Sequence, residues 1–86
     1  MIRIRYSGAF LRNTKKLDPS LQGDLLEAVE KFKDRPNHRS LRVHKLHGEL
    51  GGYYSFSINY RFRIVFEWTA RDEVLLHAVG DHSIYD

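Results

Sequence analysis

The chain has 86 residues, a formal net charge of +3 and no cysteine, and this length suits a single compact soluble domain over residues 1–86 with a small core. Its longest apolar runs, residues 64–66 and 74–76, are far shorter than the roughly 20 residues of a membrane-spanning helix, and no secretory signal pattern opens the sequence. We therefore expect a cytoplasmic protein that crosses no membrane and uses no thiol chemistry.

The N-terminal third predicts a strand followed by a helix. Ile2, Ile4 and Tyr6 alternate with arginines, which is the period of a strand with one buried face. From Ser7 onward the apolar spacing lengthens to that of a helix. The Asp18–Pro19 dipeptide is expected to stop this first helix, because the residue before a proline avoids helical geometry.

The same dipeptide predicts the start of a second helix. Asp18 suits the N-cap, and Pro19 suits the first helical position, where a missing N–H costs nothing. One apolar stripe then follows at helical spacing, formed by Leu21, Leu25, Ala28, Val29 and Phe32. Pro36 places the helix end near residue 34, and the short connection predicts an antiparallel helical hairpin.

The second half returns to the period of strands. Leu41 and Val43 alternate with polar neighbours, and Gly48 and residues 51–52 then break the chain. A row of apolar residues at even positions runs from 54 to 68, with a chain reversal predicted near residues 59–61. A last strand is expected over residues 74–79.

If the loop of this reversal has three residues, the register of the two strands is fixed. Residues that face each other then have numbers that sum to 120. Phe56 would face Ile64, and Arg63 would pair with Ser57 on the polar face. A two-residue loop would place Arg63 beside Phe56, which the cost of burying a charge disfavours. The whole pattern predicts an α+β fold: an N-terminal strand, a helical hairpin, then a small twisted, mostly antiparallel sheet. The helices would cover one sheet face and leave the other open to solvent.

Common cofactor and metal motifs are absent. The sequence contains no phosphate-binding glycine loop and no HExxH zinc motif. His44, His47 and His82 would form a poor metal set, because no cysteine supports them and Asp81 is the only nearby carboxylate. We therefore predict no metal and no cofactor.

What remains is a group of cationic, imidazole and aromatic side chains that suits phosphate chemistry. Metal-free RNA cleavage needs a base, an acid and cations around the phosphate, roles that His and Arg fill well near neutral pH. Structural roles compete: His77 is expected to be a structural histidine, His38 to face solvent, and Arg63 either to line a site or to reach Glu67. The group comprises Arg42, His44, Lys45, His47, Arg61, Arg63, His82 and Tyr85, with Tyr53 and Tyr60 as possible base-stacking residues.

The order of these groups resembles the RelE/ParE superfamily of type II toxin–antitoxin toxins. The resemblance lies in His44-Lys45-Leu46-His47-Gly48, in the aromatic strand 53–58, in the segment 60–66 with Arg61 and Arg63, and in Val79-Gly80-Asp81-His82 with Tyr85. It extends over nearly the whole chain. This resemblance implies two helices on a small twisted sheet and a toxin that cuts mRNA in the ribosomal decoding site without a metal.

Residue roles follow from the same resemblance. Arg63 matches the arginine that contacts the scissile phosphate, and His82 matches a position where members carry a catalytic Arg or His. Tyr85 matches a C-terminal aromatic that orients the substrate base, and His44 is the general base that we favour. Lys45 takes the place of the lysines that other members carry on this strand, of which this chain has only one. Arg42, His47 and Arg61, from the group of cationic and imidazole side chains above, are likewise expected to bind RNA phosphates.

Two alternatives stay open at this stage. One is the ParE branch of the same superfamily, whose members poison DNA gyrase and are not nucleases. The other is a binding module that only holds an antitoxin. In each case the resemblance implies a partner, a cognate antitoxin with an acidic segment, which suits the five basic and no acidic residues between positions 1 and 16. Ribosome and mRNA are the further partners of the nuclease hypothesis.

Overall fold

The computed structural model describes residues 1–81, so His82 and Tyr85 lie outside the described residues. Two helices and five strands follow in the predicted order. They are β1 (Arg3–Tyr6), α1 (Gly8–Lys15), α2 (Pro19–Phe32), β2 (His44–Lys45), β3 (Tyr54–Ser57), β4 (Arg63–Ala70) and β5 (Glu73–Gly80). The strands form one sheet in the order β1-β5-β4-β3-β2, in which only β1 and β5 pair in parallel. The predicted α+β fold with a mostly antiparallel sheet is confirmed.

Both helices begin at the predicted residues because side-chain oxygens cap them. The Ser7 hydroxyl accepts a hydrogen bond from the Phe10 backbone N–H at 3.0 Å, at the start of α1. An oxygen of Asp18 accepts one from the Leu21 N–H at 2.9 Å, with Pro19 at the first position of α2. Each contact satisfies a backbone donor that the first helical turn cannot pair internally.

The core lies between the helices and one face of the sheet, and Phe32 is at its centre. The Phe32 side chain is fully buried, and its ring stacks on Phe56 with centroids 4.5 Å apart and meets Phe66 edge-on at 5.0 Å. All five residues of the predicted α2 stripe are buried. On the sheet side the core is formed by even-numbered residues of β3, β4 and β5, namely Phe56, Ile64, Phe66, Val74 and Leu76.

The predicted β3–β4 register is confirmed. Phe56 pairs with Ile64, and Ser57 pairs with Arg63. The turn is closed by Asn59, whose side-chain oxygen accepts hydrogen bonds from the backbone N–H groups of residues 61 and 62, both at 2.9 Å. This turn keeps every large apolar group of the two strands on the core face and places Arg63 on the other face.

The prediction of a strand from Leu41 to His44 is wrong at its beginning, since β2 contains only His44 and Lys45. Residues 41–43 instead donate their backbone N–H groups to carbonyls of residues 37–39, at 3.0 to 3.1 Å. Arg42 has a φ of 56°, which a strand cannot contain. These local turns bring Leu41 into the core, with 7% of its surface exposed.

His38 does not face solvent as predicted. Its ring stacks on Phe32 with centroids 4.4 Å apart, and its Nε2 lies 2.7 Å from the Phe32 carbonyl oxygen. The same local turn causes this placement, because it folds residue 38 back over the end of α2. In residues 1–81 no helix has both the length and the apolar character needed to cross a membrane.

Candidate functional site

The face of the sheet opposite the helices, here called the outer face, carries the candidate site. It is formed by the odd-numbered residues of β3 and β4 and by neighbours on β2 and β5. It is less open than predicted: Ser55 is fully buried and Val65 is 6% exposed, whereas Arg63 and Glu67 are half-buried. The reason is that side chains on this face cover one another, as the contacts of His44 and His77 show.

His44 is held in a defined orientation on β2. Its Nδ1 lies 2.9 Å from the carbonyl oxygen of Arg42, and because a carbonyl only accepts, this nitrogen carries the proton. In the neutral ring Nε2 is then an acceptor, and the Ser55 hydroxyl lies 3.4 Å from it. The arrangement leaves a basic imidazole nitrogen on the outer face, oriented from both sides.

The Arg42 carbonyl that orients His44 depends on an uncommon backbone conformation. A φ of 56° is rare for a residue with a Cβ and costs free energy. The surrounding turn retains it because the Arg42 N–H donates to the Arg39 carbonyl at 3.1 Å and the Val43 N–H to the His38 carbonyl at 3.0 Å. Strain of this kind is concentrated at functional sites, which makes the segment before His44 a place to look for function.

Arg63 lies at the first position of β4, in the row next to that of His44. Its Nη1 donates to the carbonyl of Asn59 at 3.4 Å, and within residues 1–81 its guanidinium forms no salt bridge to a carboxylate. Glu67, the partner considered from sequence, contacts His77 instead. The guanidinium therefore keeps donors available for an anion.

His44 and Arg63 lie on the same face of the sheet, one row apart. His44 is paired with Ser55 and Ser55 with Val65, while Arg63 is two residues from Val65 on β4. Two strand spacings and two residue rises place the two Cα atoms roughly 12 Å apart on the same face. Both side chains are long enough to reach a phosphate bound between these rows, for which the Arg63 guanidinium would turn away from the Asn59 carbonyl that it contacts.

A bulge in β5 adds a second group to this face. Val65 pairs with Ala78 and Phe66 with Leu76, so His77 is an extra residue on β5. The His77 Nε2 lies 2.8 Å from a Glu67 carboxylate oxygen, and the Tyr53 ring meets the imidazole edge-on at 5.1 Å. The prediction of a structural, partnered histidine agrees with these contacts.

Similar solved structures cover nearly the whole chain. A chain of the RelBE2 toxin–antitoxin complex from Mycobacterium tuberculosis aligns with a TM-score of 0.73 and 19% identity, over 94% of this chain and 98% of that one. YafQ from E. coli gives 0.70 and 16% over 98% and 97%, and the YoeB–YefM complex from Staphylococcus aureus gives 0.72 and 19% over 95% and 98%. This chain has the fold of the RelE/YoeB toxins. Comparison with protein-family models and with curated protein sequences gives no match.

Within this RelE-type fold, the predicted phosphate-binding residues are spread along one edge. Arg42, Lys45 and His47 are exposed on β2 and the segments that flank it. Arg61 is exposed in the β3–β4 turn, where its Nη2 lies 3.8 Å from an Asp81 oxygen and its guanidinium lies over the Phe62 ring. His82 and Tyr85, the remaining predicted catalytic residues, lie outside the described residues.

Sequence reasoning missed two features of this candidate site. The first is Ser55, a buried hydroxyl directed at His44, and the second is the cluster of Tyr53, Glu67 and His77. The β3–β4 register, which sequence predicted correctly, already placed Ser55, Ser57 and Glu67 on the polar face. Within residues 1–81, no three side chains of His, Asp or Glu come together as a ligand set for a metal.

Proposed function

We propose that this chain is a toxin that cleaves mRNA in the decoding site of the ribosome, in the cytoplasm, without a metal. The observation that carries the proposal is the outer face itself. It holds an imidazole whose Nδ1 faces the Arg42 carbonyl and whose Nε2 faces the Ser55 hydroxyl and, one row away, a guanidinium without a carboxylate partner among residues 1–81. The fold supports the proposal, because structurally similar proteins include the toxin–antitoxin complexes RelBE2 and YoeB–YefM.

The chemistry assigns one role to each group. The Nε2 of His44 takes the proton of a ribose 2′-OH, and the oxygen attacks the adjacent phosphorus. The guanidinium of Arg63 donates hydrogen bonds to the phosphate oxygens, where negative charge accumulates in the transition state. The bond from phosphorus to the 5′-oxygen breaks, and this oxygen takes up a proton. We assign the donation of that proton to His82. The products are a 2′,3′-cyclic phosphate and a 5′-hydroxyl.

Variants of the two central residues test this mechanism on translating ribosomes. We expect His44→Ala and Arg63→Ala each to reduce codon-positioned cleavage about 10²- to 10⁴-fold, because each removes one group that acts only in the transition state. Primer extension on mRNA from a purified translation system measures the cuts.

Arg71→Ala is the charge-matched control, since Arg71 lies in the exposed β4–β5 turn, away from this edge of the sheet. It should cut like the unaltered chain. Cleavage that survives in both His44→Ala and Arg63→Ala, with both chains folded, would contradict the proposal. Inhibition of DNA supercoiling by gyrase without RNA cuts would indicate the ParE-type function, and inactivity in both assays would indicate a binding module.

We further propose a cognate antitoxin as partner, and an apolar groove between α1 and α2 as part of its binding surface. Leu11 and Leu26 line this groove and are 48% and 65% exposed, beside the buried Phe10. The adjoining residues 1–16 carry five positive charges and no negative one, which favours an acidic partner with apolar anchors.

Growth arrest gives a direct test of this surface. Leu26→Asp should leave the toxin active but abolish rescue by a co-expressed acidic antitoxin, because a carboxylate would replace an apolar anchor. Glu30→Gln, a change on the exposed side of the same helix, is the control. Full rescue of the Leu26→Asp toxin would exclude the groove from the interface.

A further inference from the structure

A cleft of about 420 Å³ lies beside Arg63, at the edge of the sheet where β3 turns into β4. One wall is the turn segment that contains Arg42, and the other is the β3–β4 turn with Tyr60. Ser57 and Arg63 line the cleft as well, and Lys31 of α2 closes one end. None of the functional roles assigned above uses the cleft as a whole.

Of the described residues, two arginines, one lysine and no carboxylate line the cleft, while Asp24 and Glu27 line the pocket next to it. Within residues 1–81 the Arg42 guanidinium has no hydrogen-bond or ion-pair partner, and that of Arg63 contacts only the Asn59 carbonyl. The Lys31 ammonium lies 3.0 Å from a Glu27 oxygen, an exposed pair that contributes little and opens readily. Two uncompensated guanidinium groups in one cleft favour an anion with several acceptor oxygens, such as a phosphodiester.

Ser57 points independently to a ligand. Its hydroxyl oxygen is buried and has no hydrogen-bond partner in the described part of the chain. Buried polar groups are nearly always paired, since an unpaired one loses the hydrogen bonds that water would supply. Ser57 is the strand neighbour of Arg63 and lines the cleft, so a rotation of its side chain about χ1 would bring the covered hydroxyl to an acceptor bound to that guanidinium.

Tyr60 supplies an aromatic surface at the mouth of the cleft. It is 96% exposed at the tip of the β3–β4 turn, although the aromatic residues of the neighbouring strands are buried or half-buried. An exposed ring beside a cationic groove is the usual arrangement for stacking a single-stranded base. An acidic peptide would use the cations but would gain nothing comparable from the ring.

We propose that this cleft binds one nucleotide of the RNA strand next to the scissile bond. Its phosphate accepts hydrogen bonds from Arg42 and Ser57 and from Arg63, whose five N–H donors also serve the scissile phosphate, and its base stacks on Tyr60. Arg42 joins this subsite to the catalytic face, because its carbonyl orients His44 and the residue also lines the cleft. The inference rests on the proposed function for the identity of the ligand, but not for the existence of the subsite.

Binding without cleavage tests the subsite. The full chain is titrated with a four-nucleotide RNA whose 2′ positions are O-methylated, so that it cannot be cut, and backbone amide shifts are followed by NMR. We expect shifts concentrated in residues 40–42 and 57–63. Tyr60→Ala should weaken binding about 5- to 100-fold, the range for loss of one base stack. Ser57→Ala should weaken it about tenfold, the loss of one hydrogen bond to a charged oxygen.

Arg42→Gly tests the Arg42 guanidinium separately from the Arg42 backbone. Glycine accepts a positive φ without strain, so the carbonyl that orients His44 stays in place while the cation is removed. Weaker RNA binding by this variant, with unchanged binding by Arg71→Ala, would support the subsite. Shifts located elsewhere, equal affinity of all four variants, or tighter binding of a polyglutamate peptide than of RNA would overturn it.

The subsite and the proposed nuclease function can each be refuted without refuting the other. RNA that binds in the cleft of a chain without ribosome-dependent cleavage would refute the nuclease and keep the subsite. Normal cleavage by the Tyr60→Ala and Ser57→Ala variants, with no RNA shifts in the cleft, would refute the subsite and keep the nuclease.

Discussion

His44 shows how a single backbone angle determines the chemistry of a side chain. A histidine on an edge strand normally rotates freely, and either ring nitrogen can carry the proton. Here the positive φ of Arg42 directs a carbonyl at Nδ1, and the buried Ser55 hydroxyl faces Nε2. The ring is therefore limited to one orientation and one neutral tautomer before substrate arrives.

This orientation predicts a tautomer that can be measured. We expect neutral His44 to carry its proton on Nδ1, the less common form in water, because the Arg42 carbonyl lies 2.9 Å from that nitrogen. The ¹⁵N shifts of the imidazole at alkaline pH report the tautomer directly. The exposed His47, for which the described structure shows no such contact, provides the comparison. A proton on Nε2 of His44 would show that the ring is turned over and that the orientation is wrong.

Arg63 and Ser57 show which properties of the candidate site can be predicted from residue identities and which cannot. The sequence predicted Arg63 as a phosphate ligand, and the register predicted Ser57 as its neighbour. Neither revealed that the Ser57 hydroxyl would be buried without a partner, because burial of a single atom depends on the residue 41 segment that packs beside it.

At the scale of elements, local chemistry was sufficient for both helices. Ser7 and Asp18 cap them, Pro19 occupies the first position of α2, and the α2 stripe meets the core as its spacing predicts. The β3–β4 hairpin followed from sequence for a similar reason, since a one-residue slip would have buried Arg63 among phenylalanines.

The Asp18 cap predicts a specific acid response. Hydrogen bonds from the Leu21 N–H and the Ser20 hydroxyl hold the pKa of Asp18 below its ordinary value. The group therefore contributes stability above the pKa of the unfolded chain, near 4, and this contribution is lost as the pH falls through the folded pKa. We expect Asp18→Asn, which still caps but does not titrate, to lose less stability than the unaltered chain between about pH 5 and 2.

Urea unfolding at these pH values measures the difference, with Asp18→Ala as the comparison that removes the cap altogether. Asp18→Ala should be less stable than the unaltered chain at pH 7. Asp72 contributes in the same direction, because Arg35 donates a hydrogen bond to it at 3.1 Å and lowers its pKa. An acid response of Asp18→Asn identical to that of the unaltered chain would assign the whole effect to other carboxylates.

The segment between α2 and β3 did not follow from sequence. Its apolar alternation at Leu41 and Val43 has the period of a strand, yet the chain forms successive turns there. A strand and the observed turns would both bury Leu41. The turns also allow His38 to stack on Phe32, which favours them over the strand. This choice depends on a contact between two elements, which local spacing does not contain.

At the scale of the whole molecule, one aromatic cluster joins helix and sheet. Phe32 of α2 contacts Phe56 of β3 and Phe66 of β4 and is fully buried. We expect Phe32→Ala to lower the free energy of unfolding by about 3 to 5 kcal/mol, which is the cost of a large buried cavity.

Leu26→Ala is the matched control on the same helix. Its side chain is 65% exposed, so its loss should change stability by less than about 0.5 kcal/mol. Denaturant unfolding of both variants measures the contrast. A small effect of Phe32→Ala would mean that the helices contribute little to holding the sheet.

By itself, the sequence determined the helices, the Asp18 cap, the β3–β4 register and the face on which Arg63 lies, because each depends on periodicity and on neighbours within a few residues. Only the tertiary structure decided the left-handed turn at Arg42, the enclosure of Ser55 and Ser57, and the cleft that Lys31 and Arg63 both line. These features arise where separate elements pack together, and their free energies are set by contacts between residues that are distant in the chain.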